Sequence, residues 1–191
     1  YVVERNEHSM KNSTAIHPDG QMDVDGYQLI QGCRHCVEQC DQLMQLLTPE
    51  TFVQSSPGSS PIGAHMRHIL DRFQCFFTGL QNDFVDYDDR ERDPLIENNL
   101  DVASSALASI ARRIDDLDMN ANRGKQITVR ETVHHERPFI ESSSTVDREL
   151  MGLITHSIHH LAIVALLAKP LGLEMGGDFG KAPSTILYER G

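Results

Sequence analysis

A chain of 191 residues with 39% hydrophobic and 24% charged residues, 8 Pro and 13 Gly is long enough for one domain with its own core and has a folded, globular composition. Its 28 Asp and Glu outnumber its 17 Lys and Arg, giving a net charge of -11 with no basic stripe to offset it; nucleic acid and anionic membrane are therefore excluded as expected partners. Four Cys, with no charged-then-apolar leader at Tyr1, argue against a disulfide framework and for a reducing, cytoplasmic setting.

Residues 1–24 are polar and aperiodic, as in a flexible N-terminal tail, and Met10 is a candidate natural start with residues 1–9 ahead of it. Residues 25–191 read as one domain. From Asp25 to Leu47 the apolar residues Leu29, Ile30, Cys33, Cys36, Val37, Cys40, Leu43, Met44 and Leu47 recur three and four apart, which predicts a helix ended by Thr48-Pro49. A Ser- and Gly-rich loop over 55–60 leads to Ser60-Pro61, a predicted N-cap with Pro at the first helical position. The second helix then runs to about Gln81 on the stripe Ile62, Met66, Ile69, Phe73, Phe76, Phe77 and Leu80. The acidic segment from Asp83 to Pro94 is expected to be a connection that crosses one end of the fold.

A third helix is predicted from Asn99 to Asp118 on Ala106, Ile110, Ile114 and Leu117. Weak alternation between Gly124 and Ser144 suggests a small β-hairpin. Ser144 and Asp147 look like a capping pair opening a fourth helix, stopped at Lys169 by Pro170 and Gly172. Four long amphipathic helices and no strong sheet signal predict an all-α four-helix bundle. The most apolar stretch, Leu150 to Leu173, carries His156, His159, His160 and Lys169, which favours a core helix over a membrane span.

The 10 His are the strongest chemical signal. His156 and His160 lie four apart on the last helix and project about 40° from one another, so two imidazoles stack on one face, a common way to offer two nitrogens to one metal ion. The helix beyond them is apolar almost all round, so unpartnered rings there would be costly. The second helix offers a third ligand at His65, about 60° from its apolar stripe, or at His68, about 120° away. Periodicity favours His65, yet His156 and His160 also flank their stripe, so a flanking His68 could meet them.

The segments 60–73, SPIGAHMRHILDRF, and 147–164, DRELMGLITHSIHHLAIV, resemble the DinB/YfiT-like superfamily of small metal-binding four-helix bundles. In that family one His near the start of the second helix, in an apolar-x-His-apolar-apolar-Asp stretch, joins a His-x3-His pair on the last long helix around a divalent metal. Met66-Arg67-His68-Ile69-Leu70-Asp71 matches the stretch, so the resemblance implies His68, His156 and His160 as ligands. It also implies up-down-down-up topology with a long crossover between the second and third helices, which the acidic segment 83–94 would supply. The long polar stretch 124–144 departs from the pattern.

Three imidazoles with an open position suit catalysis, and Zn, Ni or Fe suits imidazole ligands. Because imidazole must be neutral to bind, the metal is expected to be lost as the pH falls through about 6. Glu149, two turns before His156, is the candidate catalytic carboxylate, and Asp71 could orient a ligand. Cys33, Cys36 and Cys40 have metal-like spacing but lie on an apolar stripe, as core thiols do. The acidic run is read as a solvated loop with Arg90 and Arg92 as counter-charges, His134 and His135 as surface residues, and the tail 178–188 as a candidate lid. The resemblance implies a metal-dependent enzyme acting on a small molecule, either a low-molecular-weight thiol S-transferase or a metal-water hydrolase. The alternative is a non-catalytic metal-stabilised bundle that binds a ligand or protein; a homodimer is compatible with either.

Overall fold

The Cys-bearing stripe of the first helix is the seam on which the chain packs: Ile30, Cys33, Cys36, Cys40 and Leu43 are all buried along α1, Val24–Leu46. The computed structural model describes residues 24–55 and 58–191. The tail expected over 1–24 lies outside them except for Val24, which opens α1. Thr48-Pro49 ends α1 as expected but also starts a short helix, α2, Pro49–Val53, because the Thr48 hydroxyl accepts from the Thr51 N–H and Pro stands in the first turn.

The second long helix is α3, Ile62–Gly79, continued by a 3-10 turn over Leu80–Asn82. Its N-cap is Pro61 rather than Ser60, with no side-chain cap. Then come β1, Phe84–Asp86, the short α4, Pro94–Asn98, and the third long helix α5, Leu100–Asp115, whose cap is Asn99. A short α6, Met119–Asn122, precedes the predicted hairpin, β2, Gln126–Glu131, and β3, Ile140–Thr145. The fourth long helix is α7, Val146–Ala168, continued by a 3-10 turn over Lys169–Leu171 that ends on left-handed Gly172, and α8, Pro183–Arg190, closes the chain. The described residues are thus mostly helical, with eight α-helices and one three-stranded sheet.

Two local readings are corrected. The cap of α7 is Thr145, whose hydroxyl accepts from the Arg148 N–H, because Ser144 is still paired across the hairpin with Ile127 and its hydroxyl donates to Glu149. The acidic segment is not wholly a loop: Val85 is buried, β1 pairs in parallel with β2 with Val85 opposite Val129, and β2 pairs antiparallel with β3.

α1 packs on α5 and α7, and α3 packs on the same two helices, so the core lies among the four long helices. α3 contributes Ile62, Met66, Ile69, Phe73 and Phe76, and α7 contributes Leu150, Leu153, Leu161 and Val164. Each such side chain stabilises the fold by about 1.5–3 kcal/mol. Among the described residues one helix, Val146–Leu171, is long and apolar enough to cross a membrane. Between Leu153 and Leu161 the buried face of this helix carries Ser157 and Ile158, with His156 and His160 beside them.

The last segment returns to the helices. Gly180 has φ +68°, and a Cβ there would fall 2.8 Å from the backbone nitrogen of Ala162, so only glycine fits this approach to α7. Its N–H donates to Gln39 Oε1 of α1 at 2.7 Å.

Candidate metal centre

α3 and α7 pack side by side, and the stretch of α7 between Leu153 and Leu161 faces the first two turns of α3. There the ring nitrogens of His68, His156 and His160 approach within 4.8 Å of one another, the grouping that three ligands of one ion require. The ring centroids are 4.9 Å apart for His68 and His156, 4.7 Å for His68 and His160, and 4.6 Å for His156 and His160. His65 stands behind this set: its Nδ1 is 3.0 Å from Nδ1 of His160. His159 is exposed and meets the His160 ring edge-on.

Two features of the set fit a metal ion. Nε2 of His156 is buried and has no hydrogen-bond partner, so the fold directs a lone pair or an N–H into the site without satisfying it. The rings are also held neutral, as ligation requires. Burial, then the Arg72 guanidinium and the other rings, push His156 down to about 3. Burial, then Arg90, Arg72 and Arg67, push His68 down to about 4, and burial with His68 and His65 beside it takes His160 to about 4.

Glu149 is placed elsewhere. Its Oε2 accepts from the Tyr87 hydroxyl at 2.8 Å and its Oε1 from the Ser144 hydroxyl at 2.6 Å. The buried Tyr87 ring lies under the Arg72 guanidinium, 3.6 Å from centroid to Cζ, and Arg72 pairs with Glu131 of β2. This chain of contacts ties α7, the residue after β1, α3 and the hairpin together. It floors a cavity of about 380 Å³ lined by Arg72, Glu131, Ser144, Arg148, Glu149 and Gly152. No histidine lines it; its Gly152 stands one turn before His156 on α7.

Asp71, the other carboxylate singled out, accepts from Arg67 at 2.9 Å, and burial raises its pKa. Cys33, Cys36 and Cys40 are buried, and burial raises all three thiols well above their ordinary range, which suits packing and not ligation. His134 and His135 are exposed and stacked on one another in the hairpin loop.

Sequence reasoning missed Arg90. Read as a counter-charge in a solvated loop, it turns inward instead, and its Nη1 donates to Nδ1 of His68 at 3.0 Å. It also missed Tyr87, whose signal was the alternation Val85, Tyr87 within the acidic run, both buried.

No family model matches the chain. The chain is similar to FK506-binding protein 5 of Rhizopus delemar, at 29% identity over 107 residues, which cover 54% of this chain and 27% of that protein. The chain therefore spans about a quarter of that curated relative's length, and FK506 binding is what that protein's name says of that protein. At this identity and coverage the likeness assigns no family and no activity.

Proposed function

We propose that the protein is a DinB/YfiT-like four-helix bundle, with α1, α3, α5 and α7 as its helices in up-down-down-up order and residues 80–99 as the long crossover. We propose further that it holds one divalent transition metal, Zn, Ni or Fe, on His68, His156 and His160. The observation that carries this reading is the unpartnered, buried Nε2 of His156 beside two other neutral rings.

Bound there, a divalent metal would supply a Lewis-acid position that lowers the pKa of a thiol or a water molecule. The chain's own residues do the rest. His65 orients His160 through the Nδ1 contact, and Arg72 holds Tyr87, which with Ser144 fixes both oxygens of Glu149. Glu149 is the carboxylate assigned to proton transfer, at the edge of the neighbouring cavity that would admit a small molecule. The reaction is transfer of a low-molecular-weight thiol or hydrolysis, in a cytoplasmic protein.

A second reading has one observation in its favour: the cluster joins α3 to α7, so a metal there would fasten these two helices without catalysis. Metal analysis of purified protein tests the shared premise, with about one ion per chain expected. Thiol conjugation and hydrolysis assays on loaded protein then separate enzyme from fastener: no turnover in either, together with loss of fold on chelation, would favour the fastener.

A further inference from the structure

We propose that Arg90 is the anion-binding side chain of this centre, and that the substrate carries a carboxylate or phosphate group which Arg90 grips while the metal acts beside it. The inference rests on the metal site proposed above.

Three guanidiniums bear on His68, those of Arg67, Arg72 and Arg90. Arg67 is matched by Asp71 at 2.9 Å and Glu97 at 2.8 Å, and Arg72 is matched by Glu131. Arg90 makes no ion pair or hydrogen bond with a carboxylate among the described residues, although Asp88, Asp89 and Glu91 adjoin it in the chain; it bears on Asp71 through its charge, but Asp71 is bonded to Arg67. Among the described residues its one bonded neighbour is the His68 ring, and its Nε is buried with no partner there. A desolvated cation left in this way is costly unless something else completes it.

Ligation at His68 removes even that neighbour. A guanidinium can only donate, so the contact at 3.0 Å requires a lone pair on Nδ1 and therefore the proton on Nε2. If a metal takes the lone pair at Nδ1, Arg90 loses its acceptor. If a metal takes Nε2, the proton moves to Nδ1, and two donors face each other. Loading by either nitrogen thus frees Nη1 beside the ion, with Nε already unsatisfied. An oxyanion is a group that accepts from the freed Nη1, and its charge complements the guanidinium.

The test uses the full chain loaded with Co(II), whose visible absorption reports the coordination sphere, titrated separately with sodium acetate and with inorganic phosphate. One of the two should perturb the spectrum saturably; which one does so identifies the carboxylate or the phosphate as the recognised group. Arg90→Ala should weaken that binding by roughly tenfold or more, with Arg90→Lys intermediate. Arg90→Ala should also bind cobalt at least as tightly as the parent, because the guanidinium no longer competes for His68. A merely structural arginine would weaken both. Equal anion affinity in parent and Arg90→Ala, or no response of the parent to either anion, overturns the inference. If Arg90→Ala fails to fold, Arg90→Gln, which keeps a polar side chain with its first three carbons and removes the charge, gives the same reading. A parent that binds no cobalt sinks the metal site itself, which is a separate outcome.

Discussion

Nδ1 of His65 lies 3.0 Å from Nδ1 of His160, so one of these two nitrogens carries a proton and the other accepts it. With His160 ligating through Nε2, its Nδ1–H donates to His65, the arrangement by which a second ring fixes the tautomer and direction of a ligand. His65→Ala should therefore keep about one metal per chain while weakening affinity by roughly 10–100-fold in a competition titration. His68→Ala and His160→Ala should each lose the metal. Metal retained by His68→Ala and lost by His65→Ala would make His65 the ligand, as helical periodicity alone favoured.

The depressed imidazoles give the metal-free protein an acid-sensitive stability. His68 and His160 titrate at about 4 and His156 at about 3, through burial first, whereas unfolded imidazoles titrate near 6.5. Between these values the unfolded chain binds protons that the folded chain refuses, so stability falls as the pH drops from about 6.5 towards 4 and is flat from these groups above that window. The urea midpoint in chelator should be lower at pH 5 than at pH 7.5. His156→Gln, which cannot titrate, should narrow the difference, and an undiminished difference would assign it to other groups. The same values move proton competition for the metal to well below pH 6, so loaded protein should keep its ion at pH 5; release near 6 would show unperturbed rings.

The elements legible in the sequence are those whose apolar period is long. The α1 and α7 stripes exceed six turns each, and their periodicity placed the ends of α1 within a residue or two. The hairpin was visible through alternation at Ile127 and Val129. By contrast, β1 has three residues and exists only because β2, more than forty residues later, pairs with it; no local pattern records such a partner. The histidine grouping was half legible. The 156/160 spacing follows from helix geometry, but choosing between His65 and His68 needs the rotation of α3 against α7, which is a packing outcome. Arg90 was misread for the same reason: composition says that an arginine among acids is solvated, and only the tertiary fold turns it towards His68.

At Gly63, α3 and α4 approach closely. A Cβ at Gly63 would stand 2.1 Å from the Glu97 carbonyl oxygen and 2.9 Å from the Phe52 ring, and the backbone atom cannot swing aside. Gly63→Ala should force α4 outward and destabilise the fold by about 1–3 kcal/mol in urea denaturation. Gly176→Ala, with nothing within 4 Å of the added carbon, is the control and should shift stability by less than about 0.5 kcal/mol. Equal effects at the two positions would show that the α3–α4 approach relaxes freely.

Tyr87 and Glu149 separate a structural role from a chemical one. The Tyr87 hydroxyl satisfies Glu149 Oε2, while its ring carries the Arg72 guanidinium, so Tyr87→Phe removes the first contact and keeps the second. That variant should lose about 1–2 kcal/mol of stability and leave metal content unchanged, since neither group is a ligand. Glu149→Gln keeps the shape and the Ser144 contact but cannot take up a proton. If Glu149 serves proton transfer, Glu149→Gln should lower kcat by roughly 10²-fold or more with KM and metal content near those of the parent, and Tyr87→Phe should shift the pH profile without abolishing turnover. If Glu149 only braces α7 against the hairpin, both variants should change the denaturation midpoint by similar amounts and leave kcat alone, and the catalytic assignment of Glu149 would fall while the three-histidine site stood.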